Sequence, residues 1–124
     1  MTALYNIVGY QKSSLNLRFL WKDEDGNPKD ITGYEAAMQV RPYKTPPKAE
    51  FLGDVAIEAT TDNGKLVIDG LEGAIQLVLR RSDLDVDAGK YRYDLLIWQG
   101  PGDEDNAVRL VAGDFSVRPA VTEI

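Results

Sequence analysis

Residues Leu84–Pro119 read LDVDAGKYRYDLLIWQGPGDEDNAVRLVAGDFSVRP, and this stretch decides the fold. From Lys90 to Gln99 the side chains alternate. Tyr91, Tyr93, Leu95 and Ile97 share one face; Arg92, Asp94, Leu96 and Trp98 share the other. A period of two is the signature of a strand with one face more apolar. A helix would gather Tyr91, Asp94, Leu95 and Trp98 on one stripe, a poorer amphipath. An Asp87-Ala88-Gly89 turn leads in, and a loop rich in Gly, Pro and acid, Gly100–Asn106, follows. A second strand returns through Val111, Phe115 and Val117. The stretch is a long antiparallel hairpin at the C-terminal end of a β-sandwich.

Working outward, the rest of the chain gives short strands between turns. Leu4–Val8 is a candidate edge strand, broken by Gly9–Ser13. Ser14–Lys22 places Leu15, Leu17, Phe19 and Trp21 on a core face and Leu20 opposite. Asp23–Pro28 is a turn, because Gly supplies positive φ and Asp and Asn make local side-chain turns. Glu35–Arg41 alternates with Ala36, Met38 and Val40 inward. Pro42, Pro46 and Pro47 remove backbone donors, so Pro42–Lys48 reads as an exposed, partly extended connection. Asp54–Thr60 and Leu66–Ile68 flank Asn63-Gly64, the strongest short hairpin signal. Ala74–Arg80 is a further strand, and Ser82 caps a single helical turn over Ser82–Asp85. About eight strands at even spacing indicate an all-β sandwich or barrel. Residues 1–124 form one domain, long enough for a sizeable core.

Composition narrows the function. The chain is 44% hydrophobic and 27% charged, the balance of a globular protein. It has no Cys, which removes disulfides, thiol nucleophiles and thiolate metal sites. It has no His, the commonest general base and transition-metal ligand. The formal net charge of −6 disfavours nucleic acid and anionic membrane surfaces as partners. No apolar run approaches the ~20 residues of a spanning helix, and no signal peptide is visible.

No catalytic inventory emerges. Ser13, Ser14 and Ser82 lie outside any Gly-x-Ser-x-Gly elbow. The carboxylates cluster in turns (Asp23, Glu24 and Asp25; Asp83, Asp85 and Asp87; Asp103, Glu104 and Asp105), where charge stays solvated. The Asp23–Pro28 loop lacks the closing Glu and flanking helices of an EF-hand. Gly100-Pro101-Gly102, followed by acids, is a poor phosphate cradle. Asp94 sits in mid-strand and needs a partner, for which Arg41, Arg92 and Arg109 are the candidates. No enzymatic activity and no cofactor or metal site is expected.

Asp87-Ala88-Gly89-Lys90-Tyr91 resembles the Asp-x-Gly-x-Tyr segment that opens the sixth strand of immunoglobulin-like domains. That resemblance implies a structural tyrosine corner, with the Tyr91 hydroxyl bonded to upstream backbone. Tyr93 falls where antibody domains keep a cysteine, and fills the core by bulk instead. Longer stretches resemble small virion proteins of tailed phages and prophages, similar to the N-terminal immunoglobulin-like domain of phage baseplate upper proteins. The matching residues are Phe19–Pro28, Asp30–Tyr34, Ala37–Arg41, Ala88–Leu95, Gly113–Val117 and Val121-Thr122. The resemblance implies a virion location (tail, baseplate or neck), assembly in the bacterial host cytoplasm, and other virion proteins as partners. It allows a homo-oligomer and carries over no catalytic residue. Baseplate upper proteins continue into further domains where this sequence ends at Ile124.

Leu20, Leu96 and Trp98 point away from the expected core. Apolar side chains on both faces of a strand require a cover. Either Arg41–Gly53 folds over the sheet or another subunit does. Leu20, Tyr43, Leu96 and Trp98 are therefore the candidate interface, with Pro42–Pro47 beside them. The alternative is a carbohydrate- or receptor-binding module using Trp98, Tyr43 and the acidic loops.

Overall fold

A computed structural model describes the backbone of residues 2–48 and 51–122, and their side chains except at 44–48 and 51–52. Three strands, β3 (Leu15–Leu20), β7 (Leu66–Asp69) and β8 (Ala74–Leu79), form an antiparallel sheet in the order β3-β8-β7. The larger sheet is built on β4 (Glu35–Lys48), β9 (Gly89–Trp98) and β10 (Val108–Arg118). The ends of that trio carry β1 (Ala3–Leu4) and β2 (Ile7–Tyr10) on β10, and β5 (Phe51–Leu52) and β6 (Ile57–Thr60) on β4. Residues 81–84 and 104–106 are short 3-10 turns. The order β2-β10-β9-β4-β6 facing β3-β8-β7 is that of an immunoglobulin-like sandwich, with first and last strands parallel and the rest antiparallel.

The alternation that defines the strands also builds the core. Met38 and Val40 of β4, Tyr93, Leu95 and Ile97 of β9, and Phe115 and Val117 of β10 are buried. They meet Phe19 of β3, Leu66 of β7 and Ile75, Leu77 and Leu79 of β8 in one cluster. Each such side chain contributes about 1.5–3 kcal/mol when fully removed from water. No polar or charged residue is buried among the described residues.

Two tyrosines of β9 hold the margins. The Tyr91 hydroxyl donates to the Asp87 carbonyl at 2.5 Å, the expected tyrosine corner. Tyr93 fills the cysteine position and packs edge-on against Phe115 at 6.4 Å between ring centroids. Its hydroxyl also donates to the Tyr5 carbonyl at 2.6 Å, which pins the N-terminal segment. Gly113 sits below that carbonyl, and a Cβ there would collide with Tyr5 and press on Asn6. Asn6 in turn accepts the Asp114 N–H at 3.1 Å. β1 and β2 thus lie on β10 in one register, Ala3 opposite Val111 and Ile7 opposite Phe115.

Four expectations are corrected. Asn63-Gly64 does not close a hairpin: β6 pairs with β4 and β7 with β8, so the turn crosses between sheets. Asn63 supplies the bonds that a ladder would have made, accepting from the Thr60 and Lys65 N–H groups and donating to the Glu58 carbonyl. The cap at the 3-10 turn is Asp83, which accepts the Arg80 N–H at 2.8 Å, rather than Ser82. Gly9 and Tyr10 continue β2 rather than break it. Finally, β4 runs on as strand through Pro42 to Lys48, with Pro42 opposite Tyr91 and Tyr43 opposite Leu52.

Burial pushes the Tyr93 phenol up to about 12 from an ordinary 10.0. The folded state therefore keeps this proton longer than the unfolded chain. Its stabilising effect is intact below pH 10.0 and is lost as pH rises toward about 12. Urea denaturation across that window should show stability falling with pH, and the fall should be smaller in Tyr93→Phe.

Candidate functional site

The outer face of the larger sheet is polar and paired across strands. Gln39 lies opposite Asp94 and Arg41 opposite Arg92 on β4 and β9. Asp94 also lies opposite Ala112 and Arg92 opposite Asp114 on β10. Asp94, the mid-strand carboxylate, takes Arg109 as its partner at 2.9 Å. Arg92 reaches Asp114 at 3.4 Å. Arg41 donates to the Gln39 side-chain oxygen at 2.9 Å and to the Gly53 carbonyl at 3.4 Å, both neutral acceptors. Gln39 donates onward to Glu58. Gln39, Arg41, Arg92, Asp94, Arg109 and Ala112 line a depression of about 460 Å³.

Tyr43 stands at the end of this face, and its hydroxyl donates to Asp114 at 2.5 Å. That bond holds the Asp114 carboxyl below its ordinary value against the opposing effect of burial, with Arg92 adding to the lowering. The same bond, with burial, raises the Tyr43 phenol.

A second surface lies at the edge of the smaller sheet. The Trp21 N–H donates to the Gly73 carbonyl at 2.8 Å, just past the end of the β3–β8 ladder. Peptide directions alternate along a strand, so the amides of Leu15, Leu17 and Phe19 face β8 as well. Those of Asn16, Arg18 and Leu20 face outward, where no strand pairs with β3 among the described residues. The inward side chains Leu15 and Leu17 are only half-buried, because the sandwich is open along this edge. A groove of about 550 Å³ runs there, lined by Leu4, Tyr5, Leu17, Phe19, Leu20 and Leu110, among others. Leu4 is 79% exposed, Leu20 56% and Tyr5 51%.

The structure separates the residues that the sequence grouped. Leu96 and Trp98 lie half-buried on the outer face of the larger sheet, with Tyr43 on the same face. Leu20 lies on the smaller sheet, beside the groove. The four do not form one patch. The Trp98 indole N–H is buried without an acceptor among the described residues. The covering role expected of Arg41–Gly53 falls largely on side chains outside the described residues. Sequence reasoning missed the facing pair Arg41 and Arg92, which only register reveals, and the open β3 edge, which depends on where the N-terminal strands pair. Among the described residues no group of three acidic side chains could hold a metal ion.

No family model and no curated protein matches the chain. Among solved structures, it is similar to the extracellular domain of the voltage-gated sodium channel beta4 subunit, seen as a parallel homodimer in cell-cell adhesion. Identity is 12%, with 98% of this chain and 96% of that one covered, at a TM-score of 0.44. It is similar to Tim-1 at 17% identity and TM-score 0.44, and to Tim-2 at 12% and 0.46, with 100% of both chains covered in each case. The fold assignment stands on the strand order and register given above.

Removing the phenol should release Asp114. In Tyr43→Phe the Asp114 carboxyl should titrate at higher pH than in the parent, read by carboxyl carbon NMR. An unchanged titration would mean that Arg92 alone sets it.

Proposed function

We propose that this chain is a structural module of a tailed-phage or prophage virion that works through protein–protein contacts rather than chemistry. The resemblance in Phe19–Pro28, Ala37–Arg41 and Ala88–Leu95 supports the setting. The open β3 edge supports the mode, and it is the observation that carries the reading. Three outward amides and the half-buried Leu15 and Leu17 form a template for one more strand. Among the described residues no strand covers this edge: β3 contains no Pro or Lys, and its one charge, Arg18, makes a long ion pair with Asp69 at 3.7 Å. The occupant is an extended segment of a neighbouring virion protein. Its alternate apolar side chains enter the groove, and acidic residues among them meet Arg18 and Lys22 at the rim. No particular observation favours the carbohydrate-binding alternative.

The test uses the absence of cysteine. Leu20→Cys gives one site for a cross-linking reagent. Purified particles carrying this variant should yield an adduct with a second virion protein. Adding Arg18→Pro should abolish the adduct, because proline removes an outward N–H. Folding should survive, at a cost of about 1 kcal/mol or less, since that N–H faces away from β8, where no strand pairs with β3 among the described residues. Absence of the chain from particles would overturn the setting. An adduct insensitive to Arg18→Pro would overturn strand addition.

A further inference from the structure

We infer that the depression between β4, β9 and β10 is a binding site for a carboxylate, presented by an Asp or Glu side chain of a protein partner. This surface is separate from the β3 edge, and the inference does not depend on it.

The register supplies the first observation. Arg41 and Arg92 are directly opposite on adjacent strands and project from the same face. Like charges placed so repel, and what each gains within the sheet comes from other neighbours, Asp114 for Arg92 and Gln39 and Gly53 for Arg41. Arg109 adds a third guanidinium to the same depression. The overall charge is −6, so clustering three cations here runs against the composition of the chain.

The partners supply the second. Asp94 answers Arg109 at 2.9 Å. Asp114 answers Arg92 at 3.4 Å and is shared with Tyr43. Arg41 has only an amide oxygen and a backbone carbonyl among the described residues. Among these five side chains, three guanidiniums against Asp94 and Asp114 leave one positive charge, centred on Arg41 and its neighbour Arg92; Glu58 bonds Gln39 rather than Arg41. A guanidinium offers a planar fork of donors that fits a carboxylate bidentately. A single negative charge matches the surplus, whereas a phosphate dianion would exceed it and lie against Asp94. The depression, about 460 Å³, has room for an Asp or Glu side chain and its backbone.

The test is an NMR titration of the whole chain with acetyl-Gly-Glu-Gly-amide, following the arginine Nε–H resonances. The glutamine peptide and inorganic phosphate are the comparison probes. Arg41 and Arg92 signals should move with the glutamate peptide, at least tenfold more strongly than with the glutamine peptide at equal concentration. Arg41→Gln should abolish the response, and Arg118→Gln, at the far end of β10, should leave it intact. Because Arg41 repels Arg92, Arg41→Gln should leave the thermal midpoint unchanged or raise it; a drop would assign Arg41 a structural role and overturn the site. Equal response to the glutamine peptide, or no response, would overturn it as well. Equal displacement by phosphate would overturn the carboxylate assignment.

Discussion

The first strands of this chain lie on β10, at the edge of the larger sheet. Tyr93 holds the Tyr5 carbonyl, Asn6 takes the Asp114 amide, and Gly113 leaves room for the backbone to approach. These contacts commit Ala3–Tyr10 to the larger sheet, parallel to β10. Among the described residues the smaller sheet is left with three strands and with β3 unpaired on its outer side. The half-burial of Leu15 and Leu17 follows from the same commitment. A tyrosine where antibody domains keep a disulfide thus does two things. It fills the core, and its hydroxyl helps to hold the N-terminal strands on the larger sheet.

The hairpin of β9 and β10 was legible because its inward residues alternate without interruption and its turn carries Asp-x-Gly-x-Tyr. Both tyrosines sit where that reading put them. Pairing between distant strands was not legible. Asn63-Gly64 carries the local signal of a hairpin, but Ile57 and Ala59 face the core from one sheet and Leu66 from the other. The Asn63 side chain makes this crossing affordable to the backbone by replacing ladder bonds. Pro42 stays within β4 because its backbone polar groups face away from β9, toward Gly53, so the missing N–H costs the ladder to β9 nothing.

The two outer surfaces differ in kind. The larger sheet presents charge in fixed register, with Arg109 on Asp94 and, separately, Arg92 and Tyr43 on Asp114. Surface ion pairs of this sort contribute little to stability, about 0–1 kcal/mol each. Their consequence is orientation: each guanidinium is held in place, and Arg41 is held without a carboxylate of its own among the described residues. The smaller sheet instead presents backbone and apolar side chains. The candidate interface residues divide between these surfaces, because adjacent positions in a sequence pattern can belong to opposite faces of a sandwich.

Amide hydrogen exchange along β3 tests the open edge most directly. In the dilute monomer, Asn16, Arg18 and Leu20 should exchange at nearly the rate of an open chain, while Leu17 and Phe19 are protected by β8. Strong protection of all five in the dilute monomer would show that the edge is already covered within the fold. It would contradict the account at its centre.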